Sequence, residues 1–197
     1  MNNKLLKPVT YIGTGILTFI FMALDYFKMV ASSSITNEKQ TMISGDAFDF
    51  MDLDTTGLNG EILQQIASIA LVGVIIAAIV VILVGIAKLL PAVGVNVDAL
   101  EAKATLIDKV AAGATKALVL LNVVAVVCTV AYGAVALAEM NAQFAGYGKV
   151  TLTPVIGAYL MLVIAVVAVF VEKAANKKAA AAVAEEAPAE EAPAEEN

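Results

Sequence analysis

Apolar and charged positions in this chain separate into long blocks instead of alternating. The clearest block, IASIALVGVIIAAIVVILVGIA, carries no charge over residues 66–87 and closes at Lys88. Crossing a bilayer core of about 30 Å takes roughly 20 helical residues, so uncharged apolar runs of about that length are the unit to count. Four runs meet the criterion, at about residues 8–28, 62–88, 116–139 and 151–172. They predict an all-α integral membrane protein in which residues 1–178 form one four-transmembrane-helix bundle.

Orientation follows from lysine, because the positive-inside bias concerns Lys and Arg near span ends. Lys4 and Lys7 precede the first span, Lys88, Lys103, Lys109 and Lys116 lie between the second and third, and Lys173, Lys177 and Lys178 follow the fourth. The opposite side holds Lys28, Lys39 and Lys149. Both termini are therefore expected in the cytoplasm, with an outer loop over residues 29–61 and a location in the plasma or inner membrane. A cleaved secretory signal is the competing reading of the N-terminus: Lys4 and Lys7 would be its basic region and residues 31–34 its small-residue site. The length of the apolar stretch and the bulky, charged residues at 25–29 weigh against it.

Composition agrees with the block pattern. Apolar residues make up 60% of the chain and charged residues 15%, with a mean hydropathy of +0.87. There is no His, Trp or Arg, and Cys128 is the lone cysteine, so His-ligated haem, a Cys/His zinc site, a Ser/His or Cys/His catalytic pair and an internal disulfide are all excluded. No cofactor is expected. Without arginine or a basic stripe, nucleic acid binding has no support either. The net charge of −6 resides in the tail, where six of eighteen acidic residues fall in EEAPAEEAPAEEN. Residues 179–197 are too poor in bulky apolar side chains to offset their ordering entropy and are expected to be disordered.

The stretch FMALDYFKMVASSS sets Asp25 three residues before Lys28 where the first run ends. On a helix that spacing makes a one-turn pair, which reads as an ion pair at the membrane boundary with Tyr26 and Phe27 as interfacial anchors; a buried carboxylate recruited by another helix or subunit is the alternative. The outer loop contains DLDTTG, which places Asp52, Asp54 and Thr56 ahead of Gly57 with the spacing of the first half of an EF-hand loop. Leu63 stands where the closing glutamate belongs, and Glu61 comes two residues early. Asp52, Asp54, Thr56 and Glu61 thus form a candidate calcium site, against the alternative of a solvated acidic loop. Phe48, Phe50, Met51 and Leu53 in the same loop are expected to fold back over the bundle, with the headgroup layer or a neighbouring subunit as alternatives.

Between spans two and three, residues 96–115 read as a cytoplasmic helix with Asn96 as its N-cap, expected to be an extension of span three or a stalk, with a helix lying at the membrane surface as the alternative. The central parts of spans two to four carry no ionisable residue. Asn122, Thr129 and Tyr132 are therefore expected to make interhelical polar contacts. That pattern argues against a proton-coupled pump, a voltage sensor or a carrier of charged solutes, and no P-loop, HExxH, GxSxG or Rossmann fingerprint suggests an enzyme. Four spans, cytoplasmic termini and a longer first outer loop resemble the topology shared by claudins and tetraspanins. The tryptophan signature and loop disulfide of the first and the several cysteines of the second are missing, so the resemblance stops at topology. The expected role is structural: a non-enzymatic tetraspan protein that self-associates or joins other membrane proteins, with membrane lipids as its other partners. An oligomeric channel or transporter for small or neutral solutes is the alternative.

Overall fold

A computed structural model describes residues 3–55, 59–95 and 97–185. In chain order the elements are α1 (Asn3–Met22), β1 (Phe27–Ser33), β2 (Lys39–Gly45), α2 (Ala47–Met51), α3 (Glu61–Ala92), α4 (Asp98–Glu101), α5 (Ala104–Ala136), α6 (Ala138–Gln143), β3 (Gly148–Pro154) and α7 (Ile156–Glu185). The chain is mostly helical, and α1, α3, α5 and α7 are each long and apolar enough to cross a membrane. They pack as a ring in which α3 touches α1 and α5, and α7 touches α1 and α5. Neighbours in the ring are neighbours in sequence, with α7 closing the circle onto α1, which is the simplest up-and-down arrangement.

The buried positions explain why the helices associate. On α5 they include Thr115, Leu118, Asn122, Ala125, Thr129 and Tyr132, alternating steps of three and four; α3 contains that spacing from Gln64 to Gly85 and α7 from Ala158 to Ala168. That is the spacing buried by left-handed bundles. Other large side chains point outward: Ile62, Ile69, Ile76 and Leu83 form an exposed line of sevens along α3. Lipid tails are as apolar as these side chains, so association depends on close packing of small residues rather than on hiding apolar ones. Gly15 shows how close the packing is, since a Cβ there would stand 2.8 Å from the Ala78 carbonyl oxygen on α3 and overlap Ile82.

The helices outrun a bilayer. At 1.5 Å per residue the 32 residues of α3 and the 33 of α5 are each about 50 Å long. The helix expected at residues 96–115 is in fact a short α4 followed by the first turns of an unbroken α5, while Asn96 lies outside the described residues. Likewise α7 continues to Glu185, so residues 179–185 of the expected disordered tail are helical; alanine-rich sequence favours that extension. The rest of the tail lies outside the described residues.

The main correction to the all-α expectation is a three-stranded antiparallel sheet, ordered β2-β1-β3, at one end of the bundle. It shortens the first span, because α1 stops at Met22 and Phe27 and Lys28 belong to β1. It also moves the start of the fourth span to Ile156, since residues 151–154 belong to β3. A hairpin of β1 and β2 and the distant segment β3 thus satisfy one another's backbone groups in place of extra helical turns.

Candidate functional site

The end of the bundle that carries the sheet is its most elaborately built part. Between α1 and β1 the backbone carbonyl groups of Asp25 and Tyr26 need donors, and the residues that open α7 have N–H groups to give. Gly157 N–H donates to the Asp25 carbonyl at 2.9 Å, and Val155 N–H donates to that of Tyr26 at 2.9 Å. Only glycine fits here: a Cβ on Gly157 would stand 2.8 Å from the carbonyl oxygens of both Asp25 and Phe21. Opposite ends of two helix dipoles therefore meet at this junction, which favours the contact further. Tyr26 N–H continues the ladder by donating to Gly45 at 2.7 Å.

Beneath the sheet lies an aromatic cluster. Phe50 is fully buried, with its ring centroid 5.5 Å from those of Tyr26 and Phe27 and 6.3 Å from that of Tyr132. Tilted and edge-on contacts of this kind are the favoured aromatic geometry. The helix carrying Phe50, α2, is held by a capping box: Asp46 accepts from Phe48 and Asp49 N–H, and Asp49 accepts from Asp46 N–H. Buried Gln64, on the first turn of α3, donates to the Phe50 carbonyl at 3.0 Å and to Ser68. Met51 and Leu53 pack against the same core, whereas Phe48 stays exposed. The Tyr26 hydroxyl lies 3.2 Å from that of Thr129 and links the sheet to α5.

The two edges of the sheet differ. Along β3 both backbone groups of Val150 that face away from β1 are occupied, because the Asn141 side chain donates to its carbonyl at 2.9 Å and accepts from its N–H at 2.7 Å. An asparagine on α6 thereby does the work of a neighbouring strand. Along β2 every residue but Gly45 is exposed, and no further strand pairs with it among the described residues. A register shift against β1 falls between Met29 and Val30 and leaves Met42 unpaired. Such a bulge, with Lys39 at the strand's start, discourages indiscriminate edge pairing. Ile35, Met42 and Ile43 nevertheless present large apolar side chains there.

The residues singled out from sequence fall into separate places. Asp25 is exposed between α1 and β1, and Lys28 is half-buried in the strand. With the helix ended, their one-turn relation is gone, and the described residues contain one ion pair, Lys88 with Asp108. It is the backbone of Asp25, not its carboxylate, that holds the structure together here. Thr129 makes the contact with Tyr26 given above and also bonds back to the Ala125 carbonyl. Asn122 donates to the Leu118 carbonyl within its own helix, and its buried Oδ1 has no partner. Tyr132 contributes its ring to the Phe50 cluster. Asp52 ends α2, and Glu61 accepts from Gln65 on the next turn of α3. Thr56 lies outside the described residues, among which no group of three or more acidic side chains comes together to hold a metal ion.

The bundle interior is polar in places but holds no buried charge among the described residues: the buried polar side chains are Thr14, Thr18, Thr55, Gln64, Thr115, Asn122 and Thr129. Leu71, Val74, Val81, Leu118 and Met161 fill the space between them. The end opposite the sheet is held by side chains alone. Lys7 donates to Asn176 at 2.6 Å, Thr115 donates to Glu172 at 2.8 Å, and Lys88 pairs with Asp108. Sequence reasoning missed the connection of Tyr26, Phe50 and Gln64 and, separately, the bond of Asn141 to Val150, which nothing in the sequence distinguishes from its polar neighbours Glu139 and Gln143. Comparison of the chain with protein-family models and with curated proteins finds no match.

Proposed function

We propose that this chain is a non-enzymatic tetraspan membrane protein whose work is assembly, performed by the sheet end. The observation that carries this reading is the asymmetry of the sheet: β3 is closed by Asn141, while β2 is exposed and flanked by Ile35, Met42 and Ile43. An exposed edge with apolar side chains on a rigidly anchored sheet is a platform for another protein, through backbone pairing or side-chain contact. Nine of the twelve lysines fall at the other end of the spans or beyond them, which supports a cytoplasmic location for the termini and an outward-facing sheet. A bundle interior filled by Leu71, Leu118 and Met161 supports a structural role over a pore within one chain.

The test is affinity purification after crosslinking in native membranes. Wild type is expected to retain a specific partner, or a second copy of itself, that Met42→Asp with Ile43→Lys loses while its melting temperature stays unchanged. Equal recovery with both would remove the β2 edge from the account. Solute or ion flux in liposomes containing only the purified chain would favour the channel reading instead.

A further inference from the structure

One groove combines an apolar floor with two lysines unpaired among the described residues, whereas the groove beside Met140 and Phe144 at the sheet end has only Lys149. The first runs between α5 and α7 near the end opposite the sheet, has a volume of about 360 Å³, and is lined by Val119, Leu120, Val123, Val166, Val169 and Phe170. Lys116 and Lys173 stand at its mouth. The Thr115–Glu172 hydrogen bond joins the residues immediately before these two lysines and fixes them at one level. Lys173 lies beside the last residue of the fourth span, Ile156–Ala174, so that level is where a bilayer passes from tails to headgroups. From Lys116 to Val123, and from Val166 to Lys173, the groove extends about 10 Å along the helices into the tail region.

Its neighbours show what is particular about it. A groove of about 300 Å³ between α3 and α5, lined by residues such as Val80, Leu83 and Val110, has no basic residue. Another near Pro91 contains Lys88, but that lysine is neutralised by Asp108. Lys116 and Lys173 are exposed and have no hydrogen-bond or ion-pair partner among the described residues. The acidic group nearest in sequence, Glu172, is half-buried and accepts from Thr115. Lys109 and Lys177 follow on the same helix faces, seven residues before Lys116 and four after Lys173, and extend the positive charge away from the bilayer.

We infer that this groove is a binding site for an anionic phospholipid, with an acyl chain along the valine and phenylalanine floor and the phosphate between Lys116 and Lys173. Basic pockets between transmembrane helices at headgroup level suit such lipids, at roughly fivefold in affinity for each lysine. The inference rests on the chain's spanning a membrane and not on the assembly role of the sheet.

The test is a native mass spectrometry titration of the full-length protein in a neutral detergent, using phosphatidylglycerol and phosphatidylcholine with identical chains. Phosphatidylglycerol is expected to bind at least tenfold more tightly, and Lys116→Gln with Lys173→Gln to abolish the difference. Lys39→Gln with Lys149→Gln, an equal charge change at the sheet end, should leave it intact. Val166→Phe, which fills the floor without altering charge, should weaken phosphatidylglycerol binding several-fold. Melting temperatures of all variants keep loss of binding separate from loss of fold. Equal affinity for the two lipids, an unaffected Lys116/Lys173 variant, or complete competition by inorganic phosphate would each overturn the inference, the last because the tails would then contribute nothing.

Discussion

The two ends of this bundle are held by different kinds of interaction. At the sheet end, backbone hydrogen bonds tie the stop of α1 to the start of α7, three strands share a ladder, and Phe50 locks an aromatic cluster under them. At the other end, helices of about 50 Å reach past any bilayer and are joined by pairs of polar side chains. Backbone ladders and buried rings fix geometry strongly, whereas exposed ion pairs contribute little. The sheet end is thus suited to present a fixed surface, and the opposite end to leave an opening between α5 and α7.

Substitutions at the two ends should differ in cost accordingly, as measured by unfolding in detergent. Phe50→Ala removes the centre of the cluster and should cost about 3–5 kcal/mol. Gly157→Val forces side-chain atoms against the carbonyl groups that end α1 and should cost about 1–3 kcal/mol. Asn141→Ala leaves Val150 without either of its edge bonds, and a loss of about 1–2 kcal/mol is expected, accompanied by faster amide exchange at Val150. Lys88→Gln breaks an ion pair whose side chains are 18% and 60% exposed, and should cost less than about 1 kcal/mol. A Lys88→Gln effect as large as that of Asn141→Ala would erase the contrast between the ends. Within the bundle, Asn122→Leu should leave stability unchanged or raise it slightly, because the unpartnered Oδ1 contributes only a desolvation cost.

Hydropathy was enough to find the four helices long and apolar enough to cross a membrane, because a bilayer demands one long apolar helix at a time and that demand is local. The merging of residues 104–115 into α5 was legible for another local reason, the helical pattern of the cytoplasmic segment that leads into the third apolar run. The sheet was not, since β1 pairs with β3 across more than a hundred residues and no local pattern encodes that partnership. One trace of it was present: in GKVTLTP, Val150, Leu152 and Pro154 alternate with Lys149, Thr151 and Thr153, a strand signature that the neighbouring apolar run absorbed. The packing stripe was also visible in Thr115, Asn122 and Thr129, which recur every seventh residue. Asp25 and Lys28 misled because their spacing has meaning only on a helix, and the helix had already ended.

Cysteine crosslinking in native membranes tests the role of the sheet end most directly. In a Cys128→Ala background, Thr41→Cys places the probe on the exposed β2 and Lys149→Cys places it on the closed β3. A short bifunctional maleimide should give a discrete higher-mass adduct with Thr41→Cys and little or none with Lys149→Cys. Absence of any adduct from Thr41→Cys, or equal adducts from both positions, would contradict assembly through the β2 edge.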